Sequence, residues 1–247
     1  MSQSPRRDQL YAAYLLHHRP YRDTSRILDV FTRDHGRMTL FARGARGPKS
    51  RLAPLLQPFQ PLLISWSGRG EAGTLTRAEL AREAGGETLL SLPRAALLSA
   101  YYLNELLLRL TTRHDVLPAV FDQYHMTLRE LRRETTVARS LRLFEKRLLE
   151  TLGYGVELHR DCDGAPLEAQ RRYRYDAATG FTATGFEGNA DTLSGESILS
   201  LAQEELHDEH SLEDARRLLR AALASLLDGR ELSTRSVARA VVRGGAR

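Results

Sequence analysis

At 247 residues, with 42% apolar and 27% charged side chains, the chain has the length and composition of one large or two small globular domains. No apolar run reaches about 18 residues, which excludes a membrane-spanning helix, and the single cysteine, Cys162, excludes an internal disulfide or a multi-cysteine metal cluster. The net charge of +5 hides an asymmetry: residues 1–85 carry 14 Lys and Arg against 7 Asp and Glu, and the rest carry 22 against 24. A basic first third on a near-neutral remainder predicts one domain that meets a polyanion and a second with another task. The first residues, Met1 to Arg7, include arginines but no apolar stretch of signal-peptide length, so a cytoplasmic location is expected.

In chain order, the first elements read as short strands: Leu10 to Leu16, Ile27 to Phe31, Met38 to Phe41 and Leu62 to Trp66, with Leu75 to Leu80 a weaker fifth. Asp34-His35-Gly36 separates the second and third runs and supplies the glycine that a tight hairpin needs at positive φ. Pro48, Pro54, Pro58 and Pro61 break up the next stretch, which predicts a long irregular connection. Five short strands with a long third connection fit an OB-type barrel over residues 1–84.

Past Gly85-Gly86 the spacing becomes helical, and residues 85–247 are expected to form an α-helical domain, making the fold class α+β and multidomain. Pro93 to Thr112 is apolar nearly all round, which predicts a helix buried in the middle of a bundle, where Asn104 and Glu105 would need partners. Leu117, Val120, Tyr124, Leu128 and Leu131 share one helical face, as do Val137, Leu141, Phe144, Leu148 and Leu152. Residues 155–190 read as a loop and hairpin insertion, with Arg172 to Tyr175 and Gly180 to Thr182 as arms. Ser211 followed by Asp214 predicts a capped helix start with Ala215, Leu219, Ala222 and Leu226 inward and Gly229 as its end, and a short helix follows from about Ser233 to Val242.

Catalytic motifs are scarce. Gly44-Ala45-Arg46-Gly47-Pro48-Lys49-Ser50 has too few residues between its glycines for a phosphate loop, and Pro48 precedes the lysine, so it reads as a basic surface loop. There is no Gly-x-Ser-x-Gly elbow, and Glu204-Glu205 reads as solvated surface. His159 with Cys162, and His207 with His210, have ligand-like spacing, but structural zinc in such loops uses paired cysteines; neither metal nor cofactor is expected. What remains is a basic stripe. Arg33, Arg37, Arg43, Arg46, Lys49 and Arg51, with Arg19, Arg22 and Arg26 before them, are expected to track a phosphate backbone, and Tyr21 or Phe41 to stack on bases.

Leu15 to Ser25, Leu28 to Thr32, His35-Gly36-Arg37, Ala42 to Arg46 and Leu56 to Leu62 resemble the N-terminal region of the RecO family. Tyr102 to Leu107, Leu152 to Gly155 and Leu232 to Ser236 extend the resemblance over nearly the whole chain. It implies an OB domain and a helical domain, a bacterial and nucleoid-associated setting, and binding and annealing of single-stranded DNA without catalysis. The implied partners are RecR, the acidic Phe-terminated tail of the single-stranded-DNA-binding protein and, indirectly, RecA. Many members hold zinc through four cysteines after the position of Gly155; this chain has only Cys162 there, and so resembles a zinc-free member with a degenerate finger region. The tail is expected on the helix from Val137 to Leu152, with Arg142 on its solvent side gripping the terminal carboxylate. Three other readings stay open: an RNA-binding OB protein, an accessory DNA-binding protein that is not a mediator, and a nucleic-acid enzyme, which would need carboxylates near the stripe.

Overall fold

Five strands account for the first third of the chain: β1 (Tyr11–Tyr21), β2 (Ser25–Thr32), β3 (Gly36–Ala42), β4 (Leu62–Ser67) and β5 (Ala72–Leu80). They close into a barrel in the order β1-β2-β3-β5-β4, with β4 returning to β1 and the β3–β5 pair parallel, which is the topology of an OB-type barrel. The computed structural model describes residues 9–68, 72–81, 92–133, 136–184, 191–227 and 230–237. Leu15, Leu28, Val30, Met38, Leu40, Leu62, Ile64 and Trp66 fill the barrel, and Leu56 closes it from the proline-rich connection. Among the described residues no helix is long and apolar enough to cross a membrane.

The chain divides into two compact units, Met1–Arg132 and Arg133–Arg247, so the first runs well past residue 84, where the texture of the sequence changes. The added elements are α1 (Arg94–Leu110) and α2 (Pro118–Glu130). They explain why β1 lacks clean alternation at Tyr14-Leu15-Leu16, all three of which are buried. Leu15 points into the barrel, while the Tyr14 ring packs at 5.5 Å from Phe121 and 5.0 Å from Tyr124 of α2, so the strand is covered on both faces. A bulge between Leu15 and His17 takes Leu16 out of the β1–β2 register. The Asn104 side chain donates to the Leu16 carbonyl at 2.8 Å and accepts from the Tyr124 hydroxyl, supplying the partners its burial demands. Glu105 lies 3.6 Å from Arg109 one turn on. Contrary to the expectation of a helix buried all round, α1 packs one side against β1 and leaves Leu97 and Tyr101 exposed.

Gly36 is required twice. Its φ of +66° turns the β2–β3 hairpin, and a Cβ there would lie 1.9 Å from the Asp115 carbonyl oxygen.

The second unit contains α3 (Val137–Thr151), the hairpin β6 (Arg172–Asp176) and β7 (Gly180–Thr184), a short β8 (Leu193–Ser194), α4 (Gly195–Gln203) and α5 (Glu209–Leu226). The hairpin turns on Asp176, whose carboxylate accepts from the backbone of Ala178 and Thr179. Helix α5 is capped three residues earlier than expected: Asp208 is the N-cap, accepting from the Ser211 amide at 2.8 Å, because its carboxylate sits where the first free amides point. Asp214 instead is buried and accepts from the Ser194 amide. The expected end of α5 at Gly229 lies outside the described residues, and the last short helix is seen as helical residues 233–237.

Candidate nucleic-acid interface

The β1–β2 turn is three residues long, Arg22 to Thr24, between the paired Tyr21 and Ser25. Arg22 takes φ +50°, a conformation that non-glycine residues adopt only where the surroundings enforce it. The enforcing element is the loop after β3. Ala45 is fully buried in the barrel core, the Arg46 amide donates to the Thr24 carbonyl at 2.9 Å, and the Arg46 guanidinium reaches the Arg22 carbonyl at 3.3 Å. The buried Ala45 methyl and the two Arg46 hydrogen bonds together hold the loop against the turn.

Turn, loop and strands enclose a cleft of about 680 Å³ lined by Tyr21 to Ser25, Phe41, Arg43 and Thr74. Tyr21 and Phe41 form an aromatic wall with ring centroids 5.2 Å apart, and the Arg22 guanidinium stands 5.2 Å from the Tyr21 centroid. Arg43, Arg46, Lys49 and Arg51 are all exposed around or after it. In OB-type barrels the face of strands 2 and 3 together with the 1–2 and 4–5 loops is the general oligonucleotide-binding position, and the cleft occupies it.

The structure does not gather the whole basic stripe there. Arg33 and Arg37 lie toward the opposite end of the β2–β3 ribbon, about 27 Å from Ser25 and about 20 Å from Arg43 respectively at strand spacing. Arg33 holds Asp122 of α2 through two hydrogen bonds of 2.8 Å, and this pairing keeps the Asp122 carboxyl below the ordinary carboxylate range. The half-buried Arg37 donates to the Thr111 hydroxyl at 3.2 Å and to its carbonyl at 2.6 Å. Both arginines tie α1, α2 and their connection to the barrel. Sequence reading missed this because their partners lie 89 and 74 residues away. It also gave no role to the hydroxyls of Thr24, Ser25 and Thr74, which only the folded barrel brings into one cleft.

In the second unit, Arg142 is not on the solvent side of α3 as expected. It is buried and pairs at 2.8 Å with buried Glu145, because the inward face of α3 is centred on Ser140, Phe144 and Leu148 and sweeps round to include 142, 145 and 149. The other α3 cations converge on the αL cap of α4: Arg139 donates to the Glu204 carbonyl, and Lys146 and Arg147 to its carboxylate. Glu204 is held below the ordinary carboxylate range by Arg147 first and Lys146 second. Beside Arg142, a groove of about 970 Å³ runs between α3 and α5, with Val137, Leu141 and Leu212 as its apolar lining and Arg216 at its edge. Arg216 hydrogen-bonds Glu213 at 2.7 Å.

A zinc ion held by four thiolates does not fit this chain. The loop after His159 is closed by hydrogen bonds: Asp161 accepts from the amides of Asp163 and Ala165, and the Cys162 amide donates to the Phe181 carbonyl. Cys162 itself is exposed, with its sulfur 3.7 Å from the Thr182 hydroxyl. Among the described residues no group of three or more His, Cys, Asp or Glu side chains comes together, and His159, Cys162, His207 and His210 form no such cluster.

A closed five-stranded barrel of OB type with two helices on its first strand, followed in the chain by a helical unit carrying a small hairpin, defines the class of protein. The model for the recombination protein O N-terminal region matches residues 8–84, and that for the C-terminal region matches residues 94–235. The chain is 42% identical over 227 residues to DNA repair protein RecO of Ralstonia nicotianae, covering 91% of this chain and 82% of that one. It is 40% identical over 236 residues to that of Methylococcus capsulatus, 95% of each, and 39% identical over 231 residues to that of Photobacterium profundum, 92% and 94%. The chain therefore belongs to the RecO family of DNA repair proteins.

Proposed function

We propose that this protein binds single-stranded DNA in the cleft at the β1–β2 turn and acts as a recombination mediator, without catalysing a reaction itself. The single observation behind this reading is the preformed cleft, in which an aromatic wall stands beside exposed cations at the OB binding position. Phosphates run along Arg22, Arg43, Arg46, Lys49 and Arg51, and bases stack on Tyr21 and Phe41. Arg33 and Arg37, engaged with Asp122 and Thr111, drop out of the contact set. The partners follow the family: RecR, and the acidic Phe-terminated tail of the single-stranded-DNA-binding protein, from whose DNA this protein helps load RecA. The tail's aromatic end suits the apolar part of the groove between α3 and α5, with its carboxylate toward Arg216.

Changing Arg43, Arg46 and Lys49 together to Glu is expected to weaken binding of every single strand tested. It should also flatten the salt dependence, by about 0.7 per lost contact in the log–log slope. Unchanged affinity in the folded variant overturns the site, and stronger binding of RNA than DNA favours an RNA-binding role. For the tail, Arg216→Glu and Leu141→Asp should each reduce peptide binding and leave DNA binding intact. Arg142→Glu is a poor probe, because it would bury a second carboxylate beside Glu145.

A further inference from the structure

The cleft contains one group that a phosphate track does not explain. Asp23, at the centre of the β1–β2 turn, brings a carboxylate into a site otherwise lined by arginines, aromatic rings and hydroxyls. A carboxylate among phosphate-binding cations repels phosphate and weakens backbone affinity. The turn does not use it: among the described residues the Asp23 side chain makes no hydrogen bond or ion pair, and the clamp on the turn runs through the backbone carbonyls of Arg22 and Thr24. The hydroxyls of Thr24, Ser25 and Thr74 line the same cleft and likewise have no hydrogen bond among the described residues. Beside its arginines the cleft therefore offers a stacking wall, an acceptor-only group and three adaptable hydroxyls, which is the equipment for reading a base edge in addition to a backbone.

Building on the proposed DNA-binding role, we infer that Asp23 makes the cleft a base-selective subsite that prefers guanine and disfavours thymine. Guanine presents two adjacent donors, N1–H and the 2-amino group, which a carboxylate accepts as a parallel pair. Cytosine and adenine present one amino donor beside an acceptor. Thymine presents a single N–H between two carbonyl oxygens that face the carboxylate with like charge. The bland alternative, a solvated turn aspartate, predicts no discrimination among bases.

The test uses the full chain and fluorescence anisotropy in lithium chloride, which disfavours guanine tetrads, with strands of about 16 nucleotides. Alternating dT-dG is expected to bind about fivefold or more tightly than oligo-dT, with alternating dT and deoxyinosine, which lacks the 2-amino group, in between. Asp23→Asn, an exposed turn change, is expected to bring the three affinities together. The ratio is the readout, since removing a negative charge strengthens binding to all strands alike. Equal affinities in the unaltered protein, or a guanine preference that survives Asp23→Asn, overturn the inference and leave the DNA-binding role standing. Failure to bind any of the strands overturns both.

Discussion

The two ends of the β2–β3 ribbon carry the same residue type and put it to opposite use. At the hairpin end, Arg33 and Arg37 are consumed by Asp122 and Thr111 and hold α1 and α2 to the barrel. At the other end, Arg22, Arg43 and Arg46 have their backbones fixed by Ala45 and the Thr24 carbonyl while their charges face solvent. The difference is one of supply. A cation becomes structural where the fold engages it with a carboxylate or an orphan helix-end carbonyl, and it remains available for a ligand where, among the described residues, no carboxylate pairs with it.

The comparison breaks first at the hairpin end. Gly36→Ala is expected to cost about 2 to 4 kcal/mol, the sum of a strained left-handed backbone and overpacking against Asp115, read as a shift in urea midpoint. Loss of less than about 1 kcal/mol would mean that the Asp115 loop yields easily. Next, Arg37→Ala should cost about 1.5 to 3 kcal/mol through its charged hydrogen bonds and leave single-strand affinity within error. Arg43→Ala should do the reverse: the folding transition stays put, while the salt slope of DNA binding falls by about 0.7; Arg46→Ala should lower the slope equally and also lose its hydrogen bond to the Arg22 carbonyl, with a small cost in stability. An Arg37→Ala variant with a reduced slope would erase the distinction between the ends. Arg33→Ala should change both quantities little, because the Asp122 pair is exposed.

The smallest effect is in pH. Burial of His35 against Tyr11 and Trp66 lowers its pKa, and burial followed by Arg26 lowers that of His18. The unfolded chain therefore takes up these protons first. Their contribution to stability is complete above about pH 6.5, the unfolded histidine value, and declines as the pH falls from there toward the lower folded-state values. A shallow loss of thermal midpoint from about pH 6.5 downward, reduced in His35→Phe, is expected in a two-buffer melting series.

The barrel was largely legible from sequence because its signals are local. Short apolar runs marked β2, β3 and β4, the glycine marked the β2–β3 turn, and Asn104 announced a buried partner before Leu16 and Tyr124 supplied it. The failures have a common cause in side-chain partners set by tertiary structure. Arg142 has the spacing of a surface charge, yet the inward face of α3 reaches round to it once Glu145 is buried beside it. Ser211 is a good cap by type, but Asp208 has the position. The basic stripe was visible as charge alone; that it divides into a structural and an open end depends on the C-cap of α1 and on Asp122 of α2, which no window around Arg33 or Arg37 contains.

The burial of Ala45 has a kinetic consequence. On the proposed DNA-binding role, a basic loop already anchored by its buried methyl group would surrender little conformational freedom when a strand arrives, and the complex would form without a slow ordering step. Association should run at a rate set by electrostatic steering and fall steeply with ionic strength, and differences among strand sequences should appear in how long each strand stays. Replacing Ala45 with a residue too large for the core would release the loop and slow capture, even though every cation in it remained.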